Sequence, residues 1–150
     1  MKILVQRVTK AACVVNEKTT GAIEQGLLCY ISFRQGDSDN LIPIMAKKLA
    51  HLRVFEDTQG KMNLSLKDTN RAVLMIPQFT LEANTKKGHR PSFTEALEPT
   101  QATNYFDRFN EALKTHGLNV QTGVFGAHMQ IRSSNDGPVS LILERTNDHD

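Results

Sequence analysis

A chain of 150 residues with 39% hydrophobic and 23% charged positions has the size and make-up of one globular domain with its own core, which excludes a largely disordered or fibrous protein. Its 18 Lys and Arg against 16 Asp and Glu leave a formal charge of only +2, so a surface coated in basic groups for gripping long nucleic acid is excluded and any polynucleotide is touched locally. Cys13 and Cys29 lie in apolar, β-like stretches outside any CxxC or zinc spacing and read as buried free thiols of a reducing compartment.

The opening residues Met1 to Arg7 break their apolar run within a few positions, too soon for a secretory hydrophobic region or a spanning helix, so a soluble, cytoplasmic protein is expected. Ile3 to Val8 and Ala12 to Val15 read as two short strands, and Gly26 to Phe33 as a third. Leu41, Met45, Leu49 and Leu52 recur at helical spacing behind the N-cap candidates Asp37, Ser38 and Asp39, which predicts a helix from about Asp39 to Arg53 with Pro43 near its first turn. Ala72 to Ile76 is an uninterrupted apolar run, the pattern of a central strand covered on both faces. Thr100 is placed to cap a second helix with the apolar face Ala102, Phe106, Phe109 and Leu113, ended by Gly117. Three more strands follow, Asn119 to Thr122, Ala127 to Arg132 and Val139 to Glu144, before a loose tail over residues 145–150. Helices set into a mostly β chain without strict alternation imply an α/β fold: a single domain over residues 1–150, with a mixed, barrel-like sheet and two main helices outside.

Searches for chemistry are almost empty. There is no GxSxG elbow, Walker loop, dinucleotide fingerprint, HExxH or metal-spaced Cys/His set, and His51, His89, His116, His128 and His149 are scattered. Two places break the habits of ordinary strands. In Pro77-Gln78-Phe79-Thr80-Leu81 a proline closes the central run, where it removes a ladder donor, and polar residues follow at once. In Asn135-Asp136-Gly137-Pro138-Val139-Ser140 a turn-forming cluster runs straight into the last strand, with a Gly-Pro bond that could be trans or cis. The long aperiodic stretch from Glu82 to Glu98 carries Lys86, Lys87, His89 and Arg90, read either as a solvated loop or as a phosphate contact.

Together these segments resemble the D-aminoacyl-tRNA deacylase family, whose signatures are a Ser-Gln-Phe-Thr-Leu stretch and an Asn-x-Gly-Pro-Val-Thr stretch. The likeness extends in register through Gln6-Arg7-Val8-Thr9, Gly60-Lys61-Met62-Asn63-Leu64, Gly88-His89-Arg90-Pro91-Ser92-Phe93, Gln121-Thr122-Gly123 and Met129. The resemblance implies hydrolysis of D-aminoacyl-tRNA, and of mischarged glycyl-tRNA, with L-aminoacyl-tRNA spared. It also implies a homodimer that engages the aminoacyl-tRNA 3′ end without metal or cofactor, its Gly137–Pro138 motif cis and inserted into the partner's pocket. On this reading Gln78, Phe79 and Thr80 line the catalytic pocket, Gly137 and Pro138 reject L-residues with main-chain carbonyls that Arg7 helps orient, Met129 and Pro77 take part in binding, and Lys86, Lys87 and Arg90 meet tRNA phosphates. Two positions depart from the signatures: Pro77 stands where the family has Ser, and Ser140 where it has Thr. The first removes a hydroxyl and an N–H, which leaves two alternatives open: a binding module for the aminoacyl-tRNA end with a silenced site, or a relative with shifted specificity. An unrelated esterase using Thr80 or Ser140 with His128 as base is a further alternative.

Overall fold

In a computed structural model, which describes residues 1–147, the strands are β1 (Lys2–Val15), β2 (Lys18–Ile23), β3 (Gly26–Ser32), β4 (Phe55–Glu56), β5 (Met62–Leu64), β6 (Ala72–Pro77), β7 (Val120–Thr122) and β8 (Gln130–Glu144). The helices are α1 (Leu41–His51), α2 (Leu66–Thr69) and α3 (Pro99–Lys114), and a 3-10 turn covers Phe79–Glu82. The main sheet runs β2-β1-β3-β6-β7 with β8 on the other edge of β1. β1 is antiparallel to its three partners, whereas β3, β6 and β7 are mutually parallel, so the expected mixed sheet is present. It rolls until β2 approaches β7: the Thr20 hydroxyl donates to the Thr122 carbonyl at 3.4 Å, and a Cβ on Gly21 would stand 2.9 Å from that same oxygen.

The central run behaves as its composition demands. Val73 and Met75 face α1 and α3, joining Leu49, Phe106 and Phe109 in the larger core. Leu74 and Ile76 face the inside of the roll, packed with Val8, Ala11, Cys13 and Leu28. Each such side chain removed from water contributes roughly 1.5–3 kcal/mol, which is why β3 and β6 carry almost no polar residue.

Several boundaries differ from the sequence reading. The two short N-terminal stretches are one strand of 14 residues: exposed Thr9 and Lys10 mark a bend at which β1 passes from pairing with β3 to pairing with β2. The strands expected over Ala127 to Arg132 and Val139 to Glu144 are likewise one strand, β8, which begins only at Gln130, so that Ala127 to Met129 lie outside it, and whose ladder resumes beyond the turn-like cluster. Helix α3 starts two residues earlier than a Thr100 cap requires, since the Glu98 carboxylate itself accepts from the N–H groups of Thr100 and Gln101, at 2.8 and 3.1 Å, with Pro99 in the first turn. Asn40, without a side-chain cap bond, precedes α1, while Asp37 is drawn away to the N-terminal ammonium at 2.6 Å. In the tail expected to be loose, the Arg145 N–H donates to the Met1 carbonyl and Asn147 accepts from the Ser38 N–H; residues 148–150, including His149, lie outside the described residues. No helix among the described residues is long and apolar enough to cross a membrane.

Candidate active site

Pro77 closes β6 at no cost to the ladder. Residues of odd number in β6 bond toward β7, with the Val73 N–H on Asn119 and the Gly123 N–H on the Met75 carbonyl, and β7 ends at Thr122. The missing donor of Pro77 therefore points where the neighbouring strand has already stopped. Gln78 still bonds the opposite side, its N–H donating to the Ile31 carbonyl at 2.8 Å. The chain then tightens into the 3-10 turn, whose first N–H groups, those of Phe79 and Thr80, have no acceptor among the described residues. The Gln78 side-chain amide donates to the Thr80 hydroxyl, which orients both polar groups on the outer side of the turn.

Beside this turn lies an apolar cavity of about 380 Å³ whose walls include Pro77, Phe79, Phe93, Leu97, Pro99 and Phe125. Phe79 and Phe93 meet edge to face at 5.3 Å, yet Phe79 keeps 54% of its surface exposed. An exposed aromatic on a cavity rim offers a flat ring a surface to stack on.

The far end of the turn is anchored by Glu82, whose carboxylate is buried. It accepts from the Ser32 hydroxyl at 2.6 Å and from Arg34 Nε at 3.1 Å, while the Lys2 ammonium donates to the adjacent Leu81 carbonyl. Burial alone would raise the Glu82 carboxyl; the Ser32 hydrogen bond, the Lys2 charge and the Arg34 guanidinium together hold it below its ordinary value. The turn carrying Phe79 and Thr80 is thereby tied to the end of β3.

The second rule-breaking segment forms an excursion from the β1–β8 ladder. Gln6 pairs with Ser140 and Val8 with Asn135, so residues 136–139 stand against Arg7 alone. Asn135 spans the excursion, its amide donating to the Ser140 hydroxyl at 3.0 Å and its carbonyl oxygen accepting from the Val139 N–H at 3.2 Å. Gln6 also donates to that hydroxyl, so Ser140 supplies the acceptor that Thr would. Arg7, only 7% exposed, donates through Nε to the Asp136 carbonyl and through Nη1 to the Val54 carbonyl at 2.8 Å. Gly137 has φ +127, and a Cβ there would meet the Val139 side chain at 2.9 Å and Arg7 at 3.2 Å, so only glycine fits. The Gly137–Pro138 peptide is cis, and both residues are exposed.

The two segments are far apart in one chain. The ranks of the sheet place Asn135 level with Ala72 and Ser140 level with Leu74, three strands away from β6, whereas the turn follows Pro77. With about 4.8 Å between strands and 3.3 Å per residue, the separation is on the order of 20 Å.

The other predicted residues scatter around these two centres. Lys86, Lys87 and Arg90 are exposed on a loop closed by the Asn84–Ser92 bridge, next to the cavity residue Phe93. Met129 is half-buried against the interior of the roll, with its sulfur close to Gly123, and is not among the cavity walls. His128 is exposed and shares no hydrogen bond with Thr80 or Ser140 among the described residues. No group of three or more His, Cys, Asp or Glu that could hold a metal ion occurs among the described residues. Phe125, Glu82, Ser32 and Arg34 escape sequence reasoning. A lone aromatic before Gly126 and a Glu after an apolar Leu81 are ordinary loop text, and only the fold reveals their convergence.

The sequence profile of the D-Tyr-tRNA(Tyr) deacylase family matches residues 4–144. Among curated relatives, a D-aminoacyl-tRNA deacylase of Thermotoga petrophila is 46% identical over 144 residues, covering 96% of this chain and 97% of the relative. One of Teredinibacter turnerae is 47% identical, covering 96% and 99%. Of solved structures, the c-Myc DNA Unwinding Element Binding Protein superposes with a TM-score of 0.90 at 36% identity, over 97% of this chain and 99% of that one. A probable eukaryotic D-amino acid tRNA deacylase gives 0.84 at 18% identity over 95% and 97%, a likeness of fold alone.

Proposed function

Because the chain belongs to the D-Tyr-tRNA(Tyr) deacylase family, we propose that it hydrolyses the ester joining a D-amino acid to the 3′ end of tRNA in the cytoplasm, sparing L-aminoacyl-tRNA. The observation that carries this reading is the turn after Pro77: two main-chain N–H groups without acceptors among the described residues stand beside an apolar cavity rimmed by an exposed Phe79. An aminoacyl ester needs little activation. If the terminal adenosine stacks at Phe79 and the carbonyl is held there, the N–H groups of Phe79 and Thr80 receive the oxyanion, and water or the neighbouring ribose hydroxyl attacks without a protein acid–base pair. The poor fit of His128 with Thr80 or Ser140 weighs against the esterase alternative.

Chirality, on this proposal, is imposed by a second copy of the chain. The Gly137–Pro138 excursion is exposed and rigidly braced, and it lies too far from its own cavity to act there, so in a homodimer it enters the cavity of the partner. Its main-chain carbonyls then hold the amino group and fill the space that an L-side chain needs. Glycine has no side chain to reject, so mischarged glycyl-tRNA is also hydrolysed. Lys86, Lys87 and Arg90, on the loop next to the cavity, meet the backbone of the 3′ strand.

The test is one tRNA charged in parallel with D-Tyr, L-Tyr and Gly, treated with wild type and with Pro77→Ser. Release of D-Tyr and Gly but not L-Tyr by the wild type is the expected outcome. Release by Pro77→Ser alone means a silenced binding module, and release of all three removes the steric account of selection.

A further inference from the structure

We propose that the groove between α1 and the end of β8 is a second contact surface for the RNA, receiving phosphates of the strand that leads away from the reaction site. The inference rests on the proposed tRNA substrate and concerns residues other than the loop cations Lys86, Lys87 and Arg90.

The groove encloses about 420 Å³, and five of its seven lining residues are basic: Lys47, Lys48, His51, Arg53 and Arg145, with none acidic. This is a concentrated field for a chain whose overall charge is +2. Lys47, Lys48, Arg53 and Arg145 take part in no side-chain ion pair among the described residues. Of the carboxylates nearby, Asp68 is closed into a capping box with Ser65 and also feels the charges of Arg53 and His51, and Glu144 lies 4.0 Å from both Lys2 and Arg34. The field is felt by a neighbour. The His116 ring, edge to face with His51 at 5.6 Å, has its pKa lowered by burial and then by repulsion from Lys67, His51 and Lys47.

Placement on a helix C-terminus explains part of the cluster, since Lys48 and His51 complement the negative end of α1. It does not explain Arg53, beyond the helix, or Arg145, contributed by the other end of the chain. The groove also has a direction. Leading into α1, Gln35 donates to the Glu95 carbonyl, and Arg34 bridges Ala96, a wall of the apolar cavity. From there the cations follow the helix away from the cavity for roughly 1.5 Å per residue. A strand whose last nucleoside occupies the cavity has to leave over some face of the protein, and this one offers four cations that take part in no side-chain ion pair among the described residues.

The experiment measures binding of uncharged tRNA by fluorescence anisotropy across a salt series, and hydrolysis of D-tyrosyl-tRNA beside a minimal substrate, D-tyrosyl-adenosine. It compares wild type with the variant Lys47→Glu/Lys48→Glu at two exposed positions and with Arg145→Glu at a half-buried one. The expected result is a Kd for tRNA raised about tenfold or more, and a log–log salt slope smaller by about 0.7–0.9 for each phosphate left without its cation. Turnover of D-tyrosyl-adenosine stays at the wild-type rate. Unchanged Kd and slope overturn the groove, as does equal impairment on both substrates, which places the effect in the reaction site. Failure of the wild type to cleave either ester overturns the proposed hydrolysis instead, while the binding arm still decides whether the groove holds RNA.

Discussion

Arg7 Nε donates to the main-chain oxygen of Asp136 at 3.2 Å, across 129 residues of sequence. The same nitrogen lies 3.3 Å from the Asp136 carboxylate, and Nη1 reaches Val54, so one buried guanidinium fixes the base of the Gly137–Pro138 excursion from two sides. Lysine cannot make these contacts together, because its ammonium is a single point on a flexible stem.

Arg7→Lys is therefore expected to fold but to release the excursion. Leaving the Val54 and Asp136 carbonyls without their donor costs about 1–3 kcal/mol, read as a lower midpoint in urea. Selection suffers more than stability: the ratio of D-Tyr to L-Tyr release from charged tRNA falls by about tenfold or more. A ratio equal to wild type would separate Arg7 from selection.

Gly137→Ala tests the excursion from the other side. At φ +127 an alanine is strained, and its methyl would crowd Val139 and the Arg7 guanidinium. The excursion must shift by several tenths of an ångström, and D-aminoacyl-tRNA turnover falls on the order of a hundredfold, the scale of a misplaced positioning group. Circular dichroism should show a folded protein, since the site lies outside the ladder and both core clusters.

Glu82 ties stability to acid. Its carboxyl titrates below the ordinary 4.5 in the folded protein, so folding is favoured by its ionisation at neutral pH. That contribution is complete above the unfolded value and is lost as pH falls through the lower folded value. Glu82→Gln removes it, so the decline in stability between about pH 5 and pH 3 is shallower in the variant than in the wild type. The decline does not vanish, because Asp57, Asp68 and Glu98 are also held low by hydrogen bonds to backbone N–H groups. Denaturant melts at pH 7, 5, 4 and 3 decide it; parallel curves for both proteins would mean that Glu82 is not coupled to folding.

Residue patterning made some of this architecture legible. Five apolar residues in a row at Ala72 to Ile76 fit a strand buried on both faces, and the Ala102, Phe106, Phe109 and Leu113 stripe fits a helix with one apolar face, which the structure lays against that strand's sheet. β8 was legible only in halves. Asn135 to Pro138 carries the chemistry of a chain reversal, but Arg7 and Asn135 satisfy its backbone groups sideways, so the strand continues instead of turning. β2 was missed because Lys18, Thr19 and Thr20 are polar and exposed on the sheet's edge, where no hydrophobic alternation is required. The two sites announced themselves as breaks in strand habit. Their separation did not, since distance across a rolled sheet depends on strand order, and neither Glu82 nor its partners Ser32 and Arg34 share any local pattern.

The separation supplies the last prediction. If each reaction site combines the cavity of one protomer with the excursion of another, lesions at the two ends of the chain complement each other in a mixed dimer. Phe79→Asp should spoil the cavity and Gly137→Val the excursion, each leaving a pure dimer inactive. Unfolding the two variants together and refolding them at equal concentration yields heterodimers in which one site holds both lesions and the other holds none. For random pairing in a two-fold dimer, about a quarter of the wild-type D-Tyr release should return. A mixture as inactive as its parents, with dimers confirmed by sedimentation, would mean that each site belongs to one protomer and that the excursion selects nothing across an interface.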